Sequence, residues 1–96
     1  MEETEMNIPT EIKQFFDVDG KLRQIPSKYS RKVKAIKWLG NLFEEDRKYQ
    51  GREINELINE HHTFNDPATL RRELIINKIL SRSPDGREYW KIKGER

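Results

Sequence analysis

The sequence predicts an α+β domain that is mainly helical and carries one small β-hairpin. Apolar residues recur at helical spacing in four stretches between residues 8 and 77. After the last stretch, Asp85-Gly86 lies between two β-prone runs, which is a strong hairpin signal. Because 96 residues leave room for one hydrophobic core, we expect a disordered acidic lead-in over residues 1–6 and a single domain over residues 7–96.

The composition excludes several classes of protein. The chain has no Cys, so neither disulfides nor thiolate metal sites are available, which fits a reducing cytoplasm. No apolar run approaches the roughly 18–20 residues of a membrane helix, and the acidic start is unlike a signal peptide. We therefore expect a cytoplasmic protein that makes no membrane contact.

The charges are segregated along the chain, although the net charge is only +2. Residues 20–43 carry seven bases and no acid, and residues 67–96 carry eight bases and four acids. Residues 1–19 and 44–66 are mainly acidic. Such segregation can produce a basic face for an anionic partner, or it can reflect solvated faces that pair with each other.

A first helix is predicted to start near Pro9, which has no N–H to lose in a first turn. One apolar stripe is formed by Ile8, Ile12, Phe15 and Phe16. The turn at residues 17–20 ends this helix. Residues 21–26 alternate between apolar and polar, which predicts a short extended arm or edge strand.

The first long helix is predicted over residues 28–43, with Ser27 as its cap. Its expected buried face consists of Tyr29, Val33, Ile36, Leu39, Gly40 and Phe43, with Trp38 and Leu42 at the edges. Gly40 costs about 1 kcal/mol of helix propensity against Ala and would let another element pack close to the helix.

A strand over residues 47–50, a helix over 51–61 and a helix over 66–77 follow. In the helix over 51–61, we expect His61 on the core side and His62 exposed. Asp66 caps the next helix and Pro67 takes its first position. Residues 79–82 and 87–92 then form the hairpin around residues 83–86, with Trp90 expected inward and Tyr89 outward.

This element order is that of a winged helix-turn-helix, with three core helices, an extra N-terminal helix and a C-terminal wing. In that fold the third helix and the hairpin tip face DNA. The predicted partner is therefore duplex DNA, bound through helix 66–77 and wing 79–92.

From Phe15 to Trp90 the chain resembles the bacterial domain of unknown function 2087 (DUF2087). The resembling segments include Phe16-Asp17-x-Asp19-Gly20-Lys21-Leu22, Glu53-Ile54-Asn55-Glu56-Leu57-Ile58, Asp66-x-Ala68-Thr69-Leu70-Arg71-Arg72-Glu73-Leu74-Ile75 and Tyr89-Trp90. The resemblance implies a winged-helix-like fold in a transcriptional regulator, sometimes joined to another regulator-type domain.

Two departures from the family pattern concern helix ends. Lys78 follows Asn77 where the family tends to have Gly, so Asn77 is expected to take the left-handed end conformation. Gln50-Gly51 stands where Thr or Ser would cap the helix over 51–61, which is a weaker start.

Arg72 is the best candidate for reading a base edge, because a guanidinium can donate two parallel bonds to guanine, worth about 1–3 kcal/mol of discrimination. Thr69 and Arg71 are expected to contact phosphate. The other candidate DNA-contacting residues are Arg82 and Arg87 beside the hairpin tip, with Lys28, Arg31 and Lys32 at the start of the first long helix. Glu73 would repel phosphate, and an outward Ile76 fits a protein contact better than a DNA groove.

Other chemistries lack support in the sequence. Two adjacent histidines point apart on a helix, and residues 15–26 fail the calcium-loop pattern. No nucleophile elbow or phosphate-binding glycine loop occurs, so we expect no enzyme, no metal and no cofactor. The main alternative is a protein-interaction or homodimerisation module on the same scaffold. A more remote one is a single-strand or RNA binder that stacks bases on Trp90 and Tyr89.

Overall fold

Residues 8–93 form an α+β domain with four helices and a small antiparallel sheet, as the sequence predicts. The computed structural model describes residues 8–93, so the expected lead-in over residues 1–6 lies outside the described residues. A 3₁₀ helix (Thr10–Phe15) is followed by α1 (Tyr29–Gly40), β1 (Lys48–Gln50), α2 (Gly51–Asn59), α3 (Pro67–Ile76), β2 (Leu80–Arg82) and β3 (Glu88–Lys91). The strand order is β1-β3-β2. Within residues 8–93, no helix combines the length and the apolar character that a membrane span requires.

The N-terminal segment contributes its apolar stripe to the core. Ile12 and Phe16 are buried, and Ile8 and Phe15 pack partly buried against them. The predicted arm is confirmed at Leu22, which is fully buried and forms isolated bridges to Phe16 and His62. The arm therefore lies between the N-terminal helix and the end of α2.

Helix α1 is shorter than predicted, and its buried face is rotated. Tyr29, expected inside, is 72% exposed, whereas Trp38 is buried and meets Phe16 edge-to-face with ring centroids 4.7 Å apart. Residues 27–31 are all exposed, so the first turn of α1 lies outside the core and Tyr29 has nothing to pack against. Ser27 does not cap the helix, since the cap position is Lys28 and no side chain bonds there.

The two helix ends that depart from the family pattern are secured in other ways. The backbone N–H of Gln50 donates to Glu53 Oε1 (2.8 Å), so α2 is capped by a side chain from its own first turn. At the end of α3, Lys78 has a φ of 62°, whereas Asn77 keeps a φ of −85°. The expectation for Asn77 was wrong because its amide donates to the Glu73 carbonyl (2.8 Å), which holds it against the helix.

The α3 end is a Schellman motif with Lys in the position that favours Gly. The Ile79 N–H donates to the Leu74 carbonyl (2.9 Å) and the Lys78 N–H to the Ile75 carbonyl (3.0 Å). Ile79 then packs on α1, where a Cβ added to Gly40 would lie 2.5 Å from Ile79 Cγ2. The expectation that Gly40 permits close packing is confirmed.

The sheet turns Tyr89 inward, which corrects the expectation for Trp90. Tyr49 on β1 lies directly opposite Tyr89 on β3, and both are buried. Since residues directly opposite share a face, burial of Tyr49 determines that Tyr89 points inward and Trp90 outward. The hairpin signal itself is confirmed, because the Gly86 N–H donates to the Ser83 carbonyl (2.9 Å) and Gly86 has a φ of 74°.

Candidate nucleic-acid interface

A groove between α3 and the start of the hairpin brings together three of the arginines that were predicted to contact DNA. Its volume is about 330 Å³, and it is lined by Ala68, Arg71, Arg72, Ile75, Ile76 and Arg82. Arg72 and Arg82 are exposed, and no ion pair to either is found within residues 8–93. We call this surface the arginine groove.

Arg71 is the positioned member of the arginine groove. Its Nη1 donates to Asn55 Oδ1 on α2 at 2.6 Å, and the side chain is half-buried. A guanidinium has five N–H donors in a rigid fork, so one bond to Asn55 orients the group and leaves donors for an anion. Asn55 is thus a positioning residue that the sequence analysis did not single out.

Thr69 lies at the start of α3, and its hydroxyl is already engaged. It donates to Asp66 Oδ2 (2.8 Å), while the Thr69 backbone N–H donates to Asp66 Oδ1 (3.3 Å). Both bonds confirm Asp66 as the cap of α3. A phosphate at Thr69 would have to compete with Asp66 for the hydroxyl proton.

The basic start of α1 is connected to α3 through one ion pair. Lys32 Nζ lies 3.2 Å from Glu73 Oε2, with both side chains half-buried. Glu73, the acid expected to repel phosphate, is therefore neutralised by a residue that was itself a candidate DNA contact. Lys28 and Arg31 are exposed near the start of α1 and do not line the arginine groove.

The hairpin tip carries Arg87 beside an acid. Arg87 Nε lies 4.0 Å from Asp85 Oδ2, and both side chains are mostly exposed. The Asp85 carboxylate accepts from the Ser83 hydroxyl (2.6 Å) and from the Arg87 N–H (3.0 Å), and these bonds lower the pKa of Asp85. The tip is thus held by the carboxylate, and Arg87 extends from it.

His62, predicted to be exposed, is 5% exposed and organises the turn before α3. Its Nε2 accepts from the Asp66 N–H (2.8 Å), so the ring proton lies on Nδ1, which donates to the Ile58 carbonyl (2.8 Å). His61, expected on the core side, is only half-buried. The prediction from helical periodicity was wrong for the two histidines because α2 ends at Asn59, before either of them.

The described part of the chain shows no group of three His, Asp or Glu placed to hold a metal ion. Among protein families, the model described as "uncharacterized protein conserved in bacteria (DUF2087)" matches residues 21–91. No curated protein and no solved structure matches the chain. The matched segment contains the whole arginine groove and its supporting residues.

Proposed function

The chain belongs to the DUF2087 family of uncharacterized bacterial proteins, and we propose that it is a winged helix-turn-helix module that binds duplex DNA in transcription regulation. The order α1-β1-α2-α3-β2-β3 and the β1-β3-β2 sheet support this fold. In helix-turn-helix readers the second helix of the motif enters the major groove, and α3 is the helix proposed for that role.

The observation that carries the proposal is the convergence of Arg71, Arg72 and Arg82. Three like charges repel one another, and an anion bound between them would relieve that repulsion. Guanidinium groups also match phosphate and guanine geometry better than ammonium groups do. The arginine groove is therefore suited to a nucleic-acid backbone passing between α3 and the hairpin.

The structure of the groove suggests a division of roles. Arg72 is exposed on α3 and is the proposed reader of a base edge. Arg71, oriented by Asn55, and Arg82, on the edge strand β2, are the proposed phosphate contacts. Arg87 at the tip, with Lys28 and Arg31 near the start of α1, would extend the contact along the duplex.

The test is a salt titration of binding to mixed-sequence duplex DNA, followed by fluorescence anisotropy. Affinity should fall linearly with salt on logarithmic axes, because bound phosphates release counterions. Arg72→Ala should weaken binding and should also relax the preference for the base that Arg72 reads, by about 5- to 150-fold against a mismatched site, the equivalent of about 1–3 kcal/mol. The matched control is Arg52→Ala, an exposed arginine of α2 outside the groove. Absence of binding even at low salt would contradict the proposal.

A second candidate function is a protein-interaction or dimerisation module. Ile76 favours it, because this apolar side chain lines the groove and is 61% exposed. Sedimentation equilibrium over a wide concentration range would show a dimer, and Ile76→Lys would then dissociate it. A concentration-independent monomer excludes self-association through this surface.

A further inference from the structure

The two faces of the sheet have different chemistry. The inner face packs Tyr49, Tyr89 and Leu80 into the core. The outer face presents Trp90 at the centre, with Lys48 directly opposite on β1 and Ser81 directly opposite on β2. A large aromatic on the middle strand is thus turned away from the core.

Trp90 lies in an open groove of about 610 Å³. Four basic residues line it, namely Arg47, Lys48, Lys91 and Lys93, with Asp46 as the one acid in the lining. Lys48 Nζ lies 5.9 Å from the centroid of the Trp90 ring, and Ile92, 38% exposed, extends the apolar surface. We call this surface the Trp90 groove.

Three of the four basic residues of the Trp90 groove pair with an acid, and Lys91 is the one that forms no ion pair within residues 8–93. Asp46 pairs with Lys93 (2.9 Å), which raises the pKa of Lys93 and keeps it charged, and Glu88 pairs with Lys48 (3.7 Å). Arg47 lies 4.5 Å from the Tyr49 ring centroid and pairs with Glu53 at 3.5 Å. All three ion pairs are between exposed side chains, and such pairs are weak enough for a polyanion to displace.

We propose that the Trp90 groove binds single-stranded nucleic acid, with one base stacked on Trp90 and the backbone phosphates along the lysines. An aromatic ring in a groove lined by basic residues is the combination that single-strand binders use. The Ser81 hydroxyl beside the ring can donate to or accept from a base edge. A duplex keeps its bases stacked inside and offers none to Trp90, so this ligand differs from that of the arginine groove.

An acidic peptide is the competing ligand, because it shares the negative charge. Recognition of negative charge alone, however, would not require an aromatic ring flanked by a hydroxyl at the centre of the groove. The stacking surface therefore favours a base, and the two ligands can be separated by experiment.

The direct test is binding of a fluorophore-labelled thymidine dodecamer at low salt, measured by anisotropy. Trp90→Leu should weaken binding by about 5- to 150-fold, as expected for loss of one stacked base, whereas Arg72→Ala should change it by less than about 2-fold. Equal affinity of Trp90→Leu and the wild type would overturn the proposal, whatever the outcome for duplex DNA. The proposal would also be overturned if poly-glutamate, at the same concentration of negative charges, displaced the oligonucleotide.

Tryptophan fluorescence gives an independent readout. The chain has two tryptophans, and Trp38 is buried, so Trp38→Phe leaves Trp90 as the single reporter. Its emission should be quenched in a saturable manner by the dodecamer, and the quenching should weaken as salt rises. Anisotropy with the wild-type chain does not depend on this variant, so a poorly folded Trp38→Phe protein leaves the first test intact.

Discussion

Lys32 on α1 and Glu73 on α3 form an ion pair of 3.2 Å that joins the two helices across 41 residues of sequence. The pair is next to Arg72 in the sequence of α3, and neither of its members lines the arginine groove. It stabilises the packing of α1 on α3, and it removes both a cation and an anion from the surface that DNA would meet.

Glu73→Gln should therefore tighten duplex binding while weakening the fold. The variant removes a charge that repels phosphate and releases Lys32, so we expect affinity to rise by about 2- to 5-fold at low salt. The logarithmic salt slope should steepen by about one, corresponding to one more neutralised phosphate. Lys32→Gln is the matched control and should bind no tighter than the wild type.

The same two substitutions measure the pair itself. A double-mutant cycle of urea unfolding should give a coupling free energy of about 1 kcal/mol between Lys32 and Glu73. Lys32→Gln should be the more destabilising single change, because it leaves a half-buried carboxylate without its cation. A coupling near zero would mean that the two helices are held by apolar packing alone.

Lys78→Gly should stabilise the protein by about 1 kcal/mol. Lys78 holds a left-handed conformation that costs an L-residue about 1–2 kcal/mol, whereas Gly adopts it without a Cβ penalty. The midpoint of urea unfolding should rise without a change in slope. Asn77→Gly is the control, and it should destabilise because Asn77 has a helical φ and loses its bond to the Glu73 carbonyl.

His62→Ala should lower the free energy of unfolding by about 2–4 kcal/mol. The change leaves the half-buried Asp66 N–H without its partner and removes the His62 bond to the Ile58 carbonyl, which keeps only the His61 N–H (2.9 Å). It also removes the edge-to-face contact with Phe64. His61→Ala, at a half-buried neighbour, should cost clearly less. Equal losses in the two variants would show that the turn does not depend on the His62 ring.

Gly40→Ala should destabilise by about 1–3 kcal/mol, although Ala is the better helix former. The new methyl would overlap Ile79 Cγ2, and overpacking of this kind outweighs the gain in propensity of about 1 kcal/mol. Ile79→Leu removes that branch methyl, so the double variant should recover part of the loss. Failure of Ile79→Leu to rescue would place the strain elsewhere in α1.

The sequence predicted the elements well because their signals are local. Asp66-Pro67 at the start of α3 and Asp85-Gly86 in the hairpin act within a few residues, and both are confirmed. The prediction that Trp90 points inward was wrong. Alternation along one strand determines which residues share a face, but it does not determine which of the two faces is buried. That choice depends on Tyr49, which lies 40 residues away in the chain.

The sequence predicted the charged residues of the candidate site but not the side-chain contacts that hold them. Arg71, Arg72 and Arg82 do line one groove. Asn55 meets Arg71, and Lys32 meets Glu73, only through the packing of α2 and α1 on α3, which no local pattern encodes. His62 was misplaced for a related reason, since its burial depends on where α2 ends and where the arm at Leu22 runs.

The junction between α3 and β2 consists of only three residues, 77–79, and each is fixed. Asn77 bonds to Glu73, Lys78 closes the helix end, and Ile79 is held by Leu74, by Gly40 and by the Ile92 N–H at 2.8 Å. A ligand that spans α3 and the hairpin would meet two surfaces whose relative orientation is already set. The conformational entropy of aligning the two surfaces is lost when the chain folds rather than when the ligand binds. The binding free energy of that surface therefore reflects its contacts with the ligand, with little cost for reorganising the protein.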